Sequence, residues 1–319
     1  MKKFLGDPLF LSEAKASKKP GHNAFAELLI FIPVFIVIQL VETVPVVFAS
    51  VVWIIVTNYN AMSSGVNIYY NSASFEVPDV ITVFSLFVTV FGTAVAMLFC
   101  RHIEERKICS MGFHRKNLFT EYLLGGALGI VMIFAAVICG IVSGAYTITP
   151  GTPSVLIIIA CLAGFLLQGM SEEVIFRGYL MTSMTRKNRM FISILLSSLA
   201  FSVTHLGNPG ISALAFINIM LFGVLAAVLF IKRGSIWAAC GMHTFWNFYQ
   251  GSVFGISVSG AVKTGGSVFD AAVNRGMPGY LSGGDFGLEG SIFVTAVEVF
   301  FLLLFLLVLP KKKDEQCPL

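Results

Sequence analysis

Charge is what this sequence is short of. Only 12% of its 319 residues are Asp, Glu, Lys or Arg, while 56% are hydrophobic and the mean hydropathy is +0.86. Soluble domains carry about 25% charged residues, so a soluble enzyme or a nucleic-acid-binding module is excluded at the outset. The net charge of +4 comes from basic residues that flank apolar runs instead of gathering on one polar surface. There is no CxxC pair among Cys100, Cys109, Cys139, Cys161, Cys240 and Cys317; these read as small apolar fillers, not as a disulfide or metal framework. Internal repeats are missing, and so are the short alternating segments of an outer-membrane barrel. Residues 1–23 are polar and lack the apolar stretch of a secretory leader, so the first span is expected to stay as an anchor. In the ending Gln316-Cys317-Pro318-Leu319 the cysteine stands one position too late for a prenylation box.

What is present is a series of helix-length apolar runs. Eight can be placed: 25–56, 80–100, 119–142, one beginning near Ser154, 190–205, 211–231, 235–254 and 291–309. All but Lys263 and Arg275 of the 21 Lys and Arg fall in connections on one side of such an arrangement. The positive-inside rule then puts both termini in the cytoplasm. The expected architecture is an all-α, polytopic transmembrane bundle of about eight spans in the cell membrane, one integral membrane domain over 1–319. Within it, 1–23 and 311–319 are expected as cytoplasmic tails, 109–251 as the motif-bearing core, and the Gly- and Ser-rich stretch 255–290 as an external loop, a flexible linker more than a lid.

Ionisable groups inside such runs cost about 2.5–3.5 kcal/mol each at the centre of a span and are read as functional by default. They occur here in order: Glu172, Glu173 and Arg177 as EExxxR, Phe201 and His205 as FxxxH, His243 and Asn247 as HxxxN. Glu173 and Arg177 are four residues apart with the acid first, the favourable direction for a helical ion pair. Glu172 lies about 100° further round the helix and points elsewhere, which makes it the candidate reactive group and Glu173 the supporting one. His243 and Asn247 present an imidazole and an amide on one face. Measured at 1.5 Å per residue from the basic connections, Glu172, His205 and Asn247 lie about 21–24 Å deep and His243 about 15 Å. A shared polar cavity is the simplest account. A straight helix from Ser154 to Thr185 exceeds a hydrocarbon core of about 30 Å, so it must tilt, break or protrude.

The ordered set EExxxR, FxxxH, HxxxN on successive apolar segments resembles the CPBP family of intramembrane proteases, the CAAX-protease and bacteriocin-processing group whose best-known branch is the type II CAAX prenyl endopeptidase. The resemblance covers roughly 109–251. It implies that Glu172 and His205 activate a water and that His243 with Asn247 forms an oxyanion hole, without a serine or cysteine nucleophile. The residues themselves allow this: peptide hydrolysis needs an activated water, an oxyanion donor and a proton for the leaving amine. They also allow zinc held by Glu172, His205 and His243 with water as the fourth ligand, although no HExxH is present to support it. The metal-free version is favoured, with no cofactor.

The expected partners are a peptide or protein substrate, prenylated or bacteriocin-like, approaching from the cytoplasm or the lipid, and membrane lipid itself; nucleic acid is not expected. Two other classes remain open. A transporter would use Glu172 and the histidines as a proton or ion path, and would be favoured by two related halves with broken helices, which the sequence does not display. A non-catalytic immunity protein would keep the cavity without the reaction. Glu27, Glu42 and Glu298, in or near apolar runs, are assigned no role.

Overall fold

The structure is a computed structural model that describes residues 8–63, 78–261, 263 and 265–310. The expected cytoplasmic tail at 311–319, with Cys317, and residues 64–77 lie outside the described residues, as do Lys2 and Lys3. What is described is mostly helical.

Polarity and apolar length decide the elements. The short helix α1, Leu9–Lys15, docks its Phe10, Leu11 and Ala14 into the bundle, with Phe10 stacked on Phe230 at 4.1 Å between centroids. The Leu9–Lys15 stretch of the expected N-terminal tail is therefore a packed part of the fold. Next come α2 (Ala24–Ser63), α3 (Asp79–Leu98, continued by a π turn at Phe99–Ile103) and α4 (Leu118–Val142). A strand, β1 (Tyr146–Pro150), leads into α5 (Val155–Glu173). This helix does not break where length requires relief. It runs on through a π segment at Val174–Met181 and a last α turn at Thr182–Thr185. Then follow α6 (Met190–Val203), α7 (Ala213–Arg233) and α8 (Trp237–Phe248), with a π turn at Tyr249–Val253. Strand β2 (Phe269–Val273) and helix α9 (Ile292–Leu307) close the order.

Five of these helices are long and apolar enough to cross a membrane on their own, against the eight apolar runs of the sequence. The other three run between the same two ends but are shorter. Helices α6 and α9 are apolar but have 14 and 16 residues, and α8 has 12, which at 1.5 Å per residue is about 18–24 Å and short of a core of about 30 Å. Outward-facing side chains such as Ile55 and Phe119 are exposed and apolar, as expected of helices solvated by lipid, and this is a membrane protein.

The two ends of the bundle differ. At one end the connections interlock through charge. Arg106 is fully buried and its guanidinium donates to Glu104, to Ser183 Oγ and to the Gly178 carbonyl. Arg186 bridges Glu104 and Glu27, and Lys19 donates to the Ile103 carbonyl. At the other end, β1 and β2 pair antiparallel from Tyr146 opposite Val273 to Pro150 opposite Phe269. This ties the stretch expected to be a flexible linker firmly to the bundle. The cysteine expectation also needs one correction: Cys109 stands in a disulfide bond, while Cys100, Cys161 and Cys240 are buried as small apolar side chains would be.

Candidate active site

Helix α8 is held unusually close to its neighbours, and small residues are the reason. A Cβ on Gly125 or Gly129 of α4 would overlap the carbonyls of Ala238 and Met242, and one on Gly169 of α5 would press on Thr244. Small residues spaced by four let helix backbones approach in this way. Polar links fasten the contact: the Tyr122 hydroxyl donates to Thr244 Oγ1, which donates to the Phe165 carbonyl. His243 and Asn247, next along the same helix, are thereby set against the acid pair of α5.

The acid pair grips His243 from both sides. Glu173 Oε1 lies 2.9 Å from His243 Nδ1 and Glu172 Oε2 lies 3.3 Å from its Nε2. A ring with an acceptor at each nitrogen must donate from both, or else face a protonated carboxyl on one side. Glu173 Oε1 also accepts from Arg177 Nη1 at 3.0 Å, the ion pair expected from the spacing. Glu173 and Arg177 are both fully buried, whereas Glu172 keeps 25% side-chain exposure towards the cavity. The π segment begins at Val174, directly after these carboxylates, a placement common at functional sites.

Gln168, one turn before Glu172, completes a chain. Its Nε2 donates to Glu172 Oε1 at 2.6 Å, and its Oε1 accepts from Asn247 Nδ2 at 3.0 Å. Asn247 thus meets the Glu172 carboxylate through Gln168. An amide four residues ahead of the key acid was the available signal for this residue.

His205 approaches from another helix end. Its Nδ1 is 2.8 Å from the Phe201 carbonyl. A carbonyl only accepts, so Nδ1 carries the proton, and in the neutral ring Nε2 is left as an acceptor for the cavity. No hydrogen bond joins His205 to Glu172; the imidazole nearest Glu172 is that of His243. Phe201 is more than a wall. Its ring stands edge-on to both imidazoles and lies 4.6 Å beneath the Arg177 guanidinium, so it helps to hold a buried charge whose carboxylate partner is shared.

Glu172, His205, His243 and Asn247 all line one cavity of about 280 Å³. Further polar groups not singled out from the sequence share it: Gln168, Asn208, Asn218 and Glu289, together with Glu298, to which no role was assigned. Glu289 Oε2 accepts from the Ser259 amide, the Ser259 hydroxyl and Gln250 Nε2, which leaves Oε1 as the atom open to the cavity. Burial pushes this carboxyl up from its ordinary value, outweighing the three donors. Glu298 is buried and its Oε2 has no hydrogen-bond partner among the described residues. The signal for Glu298 was an acid set in an otherwise apolar helix; nothing in a Gly-rich loop marked Glu289.

Among the described residues no three His, Cys, Asp or Glu side chains are arranged to hold a metal ion.

A family model described as type II CAAX prenyl endopeptidase Rce1-like matches residues 152–249. This stretch contains Glu172, His205, His243 and Asn247, and the resemblance read from their motifs stands over it. No curated protein matches this chain, and no solved structure does.

Proposed function

We propose that this chain is an intramembrane endopeptidase that hydrolyses a peptide bond with water activated by Glu172 and His205, the oxyanion being received by His243 and Asn247. The observation that carries this reading is the convergence of the four groups from helices α5, α6 and α8 on one cavity, within the segment that matches an endopeptidase family. The match covers a minority of the chain, so activity and substrate are inferences.

The geometry supports a division of labour. Glu172 is the exposed member of the acid pair and His205 turns an acceptor nitrogen into the same space. A water between them would meet two bases. As it attacks the carbonyl carbon, its proton passes to Glu172, the new carbon–oxygen bond forms, and charge builds on the carbonyl oxygen. His243 and Asn247 supply N–H groups for that oxygen, and Glu173 with Arg177 keeps His243 in place and in its donating state. When the tetrahedral species collapses, the proton held by Glu172 goes to the leaving amine. Every step uses groups of this chain, and no metal is needed.

The experiment is proteolysis of a peptide panel by the purified protein in detergent, beside Glu172→Ala and beside a chelator. Cleavage lost in Glu172→Ala and indifferent to chelator is the expected result. Full activity of Glu172→Ala would overturn the mechanism. Loss with chelator, restored by zinc, would replace the metal-free chemistry with a zinc site. A well-folded protein that cleaves nothing would favour the immunity or transport reading.

A further inference from the structure

Resting on the peptidase reading, we infer that the cavity opens on the extracytoplasmic side of the membrane, so that the substrate is a polypeptide segment presented from outside and not a cytosolic C-terminus. The argument is one of ends. Contacts sort the connections into two sets. One set is joined by Lys19 to Ile103, Arg186 to Glu104, Trp237 to His114 and Arg233 to Glu121. The other is joined by β1 to β2, Asp79 to Gly265, Asn208 to Ser259 and Asn218 to Glu289.

The cavity belongs to the second set. Its wall uses Thr82 near the start of α3, His205 and Asn208 just past the end of α6, Asn218 near the start of α7, and Ser259 and Glu289 of the closing loop. Towards the first set it is sealed. From Glu173 to Thr185 every residue is buried, and beneath them lies the charge knot of Arg106, Glu104 and Arg186. The short helices α6 and α9 fit this picture, since their missing turns leave room for the cavity at the loop end.

The charges then assign the sides. Apart from Arg177 inside the bundle, every described Lys and Arg except Lys263 and Arg275 lies at the sealed end. The loop end carries Asp79, Asp270, Asp285 and Glu289. Basic connections stay in the cytoplasm, which puts the mouth of the cavity outside. Of the two approaches expected from the sequence, cytoplasm or lipid, this reverses the first. One feature of the sealed end runs against it: the Cys109 disulfide would be unusual in a reducing compartment. A single bond is outweighed by the whole distribution of cations.

The test reads topology without relying on activity. Full-length chains carrying Arg275→Cys or Lys187→Cys, both at exposed positions, are expressed in bacteria and treated with a membrane-impermeant maleimide. The expected result is labelling of Arg275→Cys in intact cells, above the parent chain, and of Lys187→Cys only once the membrane is permeabilised. Reversed labelling, or equal labelling of both in intact cells, overturns the inference, and Lys263→Cys repeats the loop-end reading at a second position. In a second arm, a peptide cleaved by the purified protein is supplied outside intact cells or produced in their cytoplasm. Cleavage only of the outside peptide supports the inference; cleavage only of the cytoplasmic one defeats it. Because labelling is independent of catalysis, an inactive but correctly labelled protein would defeat the peptidase reading alone.

Discussion

Glu173 accepts from Arg177 and from His243 with the same oxygen, and neither it nor Arg177 reaches solvent. Removing its charge leaves a buried guanidinium without its carboxylate, a loss of about 3–5 kcal/mol where buried pairs are broken. Glu173→Gln is therefore expected to lower the thermal midpoint in detergent markedly and to reduce cleavage through a misplaced His243. Glu172→Gln should behave in the opposite way. Its side chain is partly exposed and the glutamine can still accept from Gln168, so the midpoint is expected to stay near that of the parent while cleavage falls about a hundredfold or more. Asn247→Ala tests the oxyanion role: kcat should drop about 10²–10³-fold with KM little changed. The convergence of Glu172, His205, His243 and Asn247 on one cavity was legible in the sequence because each is a polar residue in an apolar run at helical spacing. Gln168 was less so, since an amide in a helix is ordinary until its two partners are seen. Glu289 was not legible at all: it reaches the cavity through a loop whose path depends on strand pairing over a long separation, which no local pattern encodes.

At the scale of elements, the site depends on how closely α8 can lie on α4 and α5. Gly125 and Gly129 were not marked in the sequence as anything more than membrane glycines; their meaning comes from the backbone carbonyls that face them. Gly129→Leu is expected to push α8 away, lower the thermal midpoint and abolish cleavage together, whereas Gly207→Ala, with open space around its Cβ, should leave the midpoint unchanged. Thermal unfolding followed by circular dichroism, beside a cleavage assay, would separate the two. The mostly helical architecture was legible from composition and apolar run length, whereas the β1–β2 pair was not. Helix length was less legible, because the runs at 190–205 and 235–254 look complete yet end in turns and a π segment beside the cavity.

For the molecule as a whole, the Glu289 carboxyl ties stability to pH. Burial raises it above its ordinary 4.5, so the folded state holds this proton more tightly than the unfolded chain does. Its contribution is fully present below the unfolded value and is lost as pH rises through the raised folded value. The thermal midpoint in detergent should fall over that interval, and Glu289→Gln should flatten the dependence; an unchanged slope would separate Glu289 from it.

The π segment between Glu173 and Thr182 has a consequence for tolerance to insertion and deletion. One helix carries Glu172 and Glu173 at one level and, about three turns later, Ser183 and Arg186 of the charge knot. The wider turns set the angular phase between these two stations, much as a spacer sets the timing between cams on a shaft. Making Val174–Met181 regular without changing its length would turn the lower station relative to the upper, because an α turn takes 3.6 residues and an i→i+5 turn takes more. Every side chain needed for either job would survive, yet both could not be seated at once.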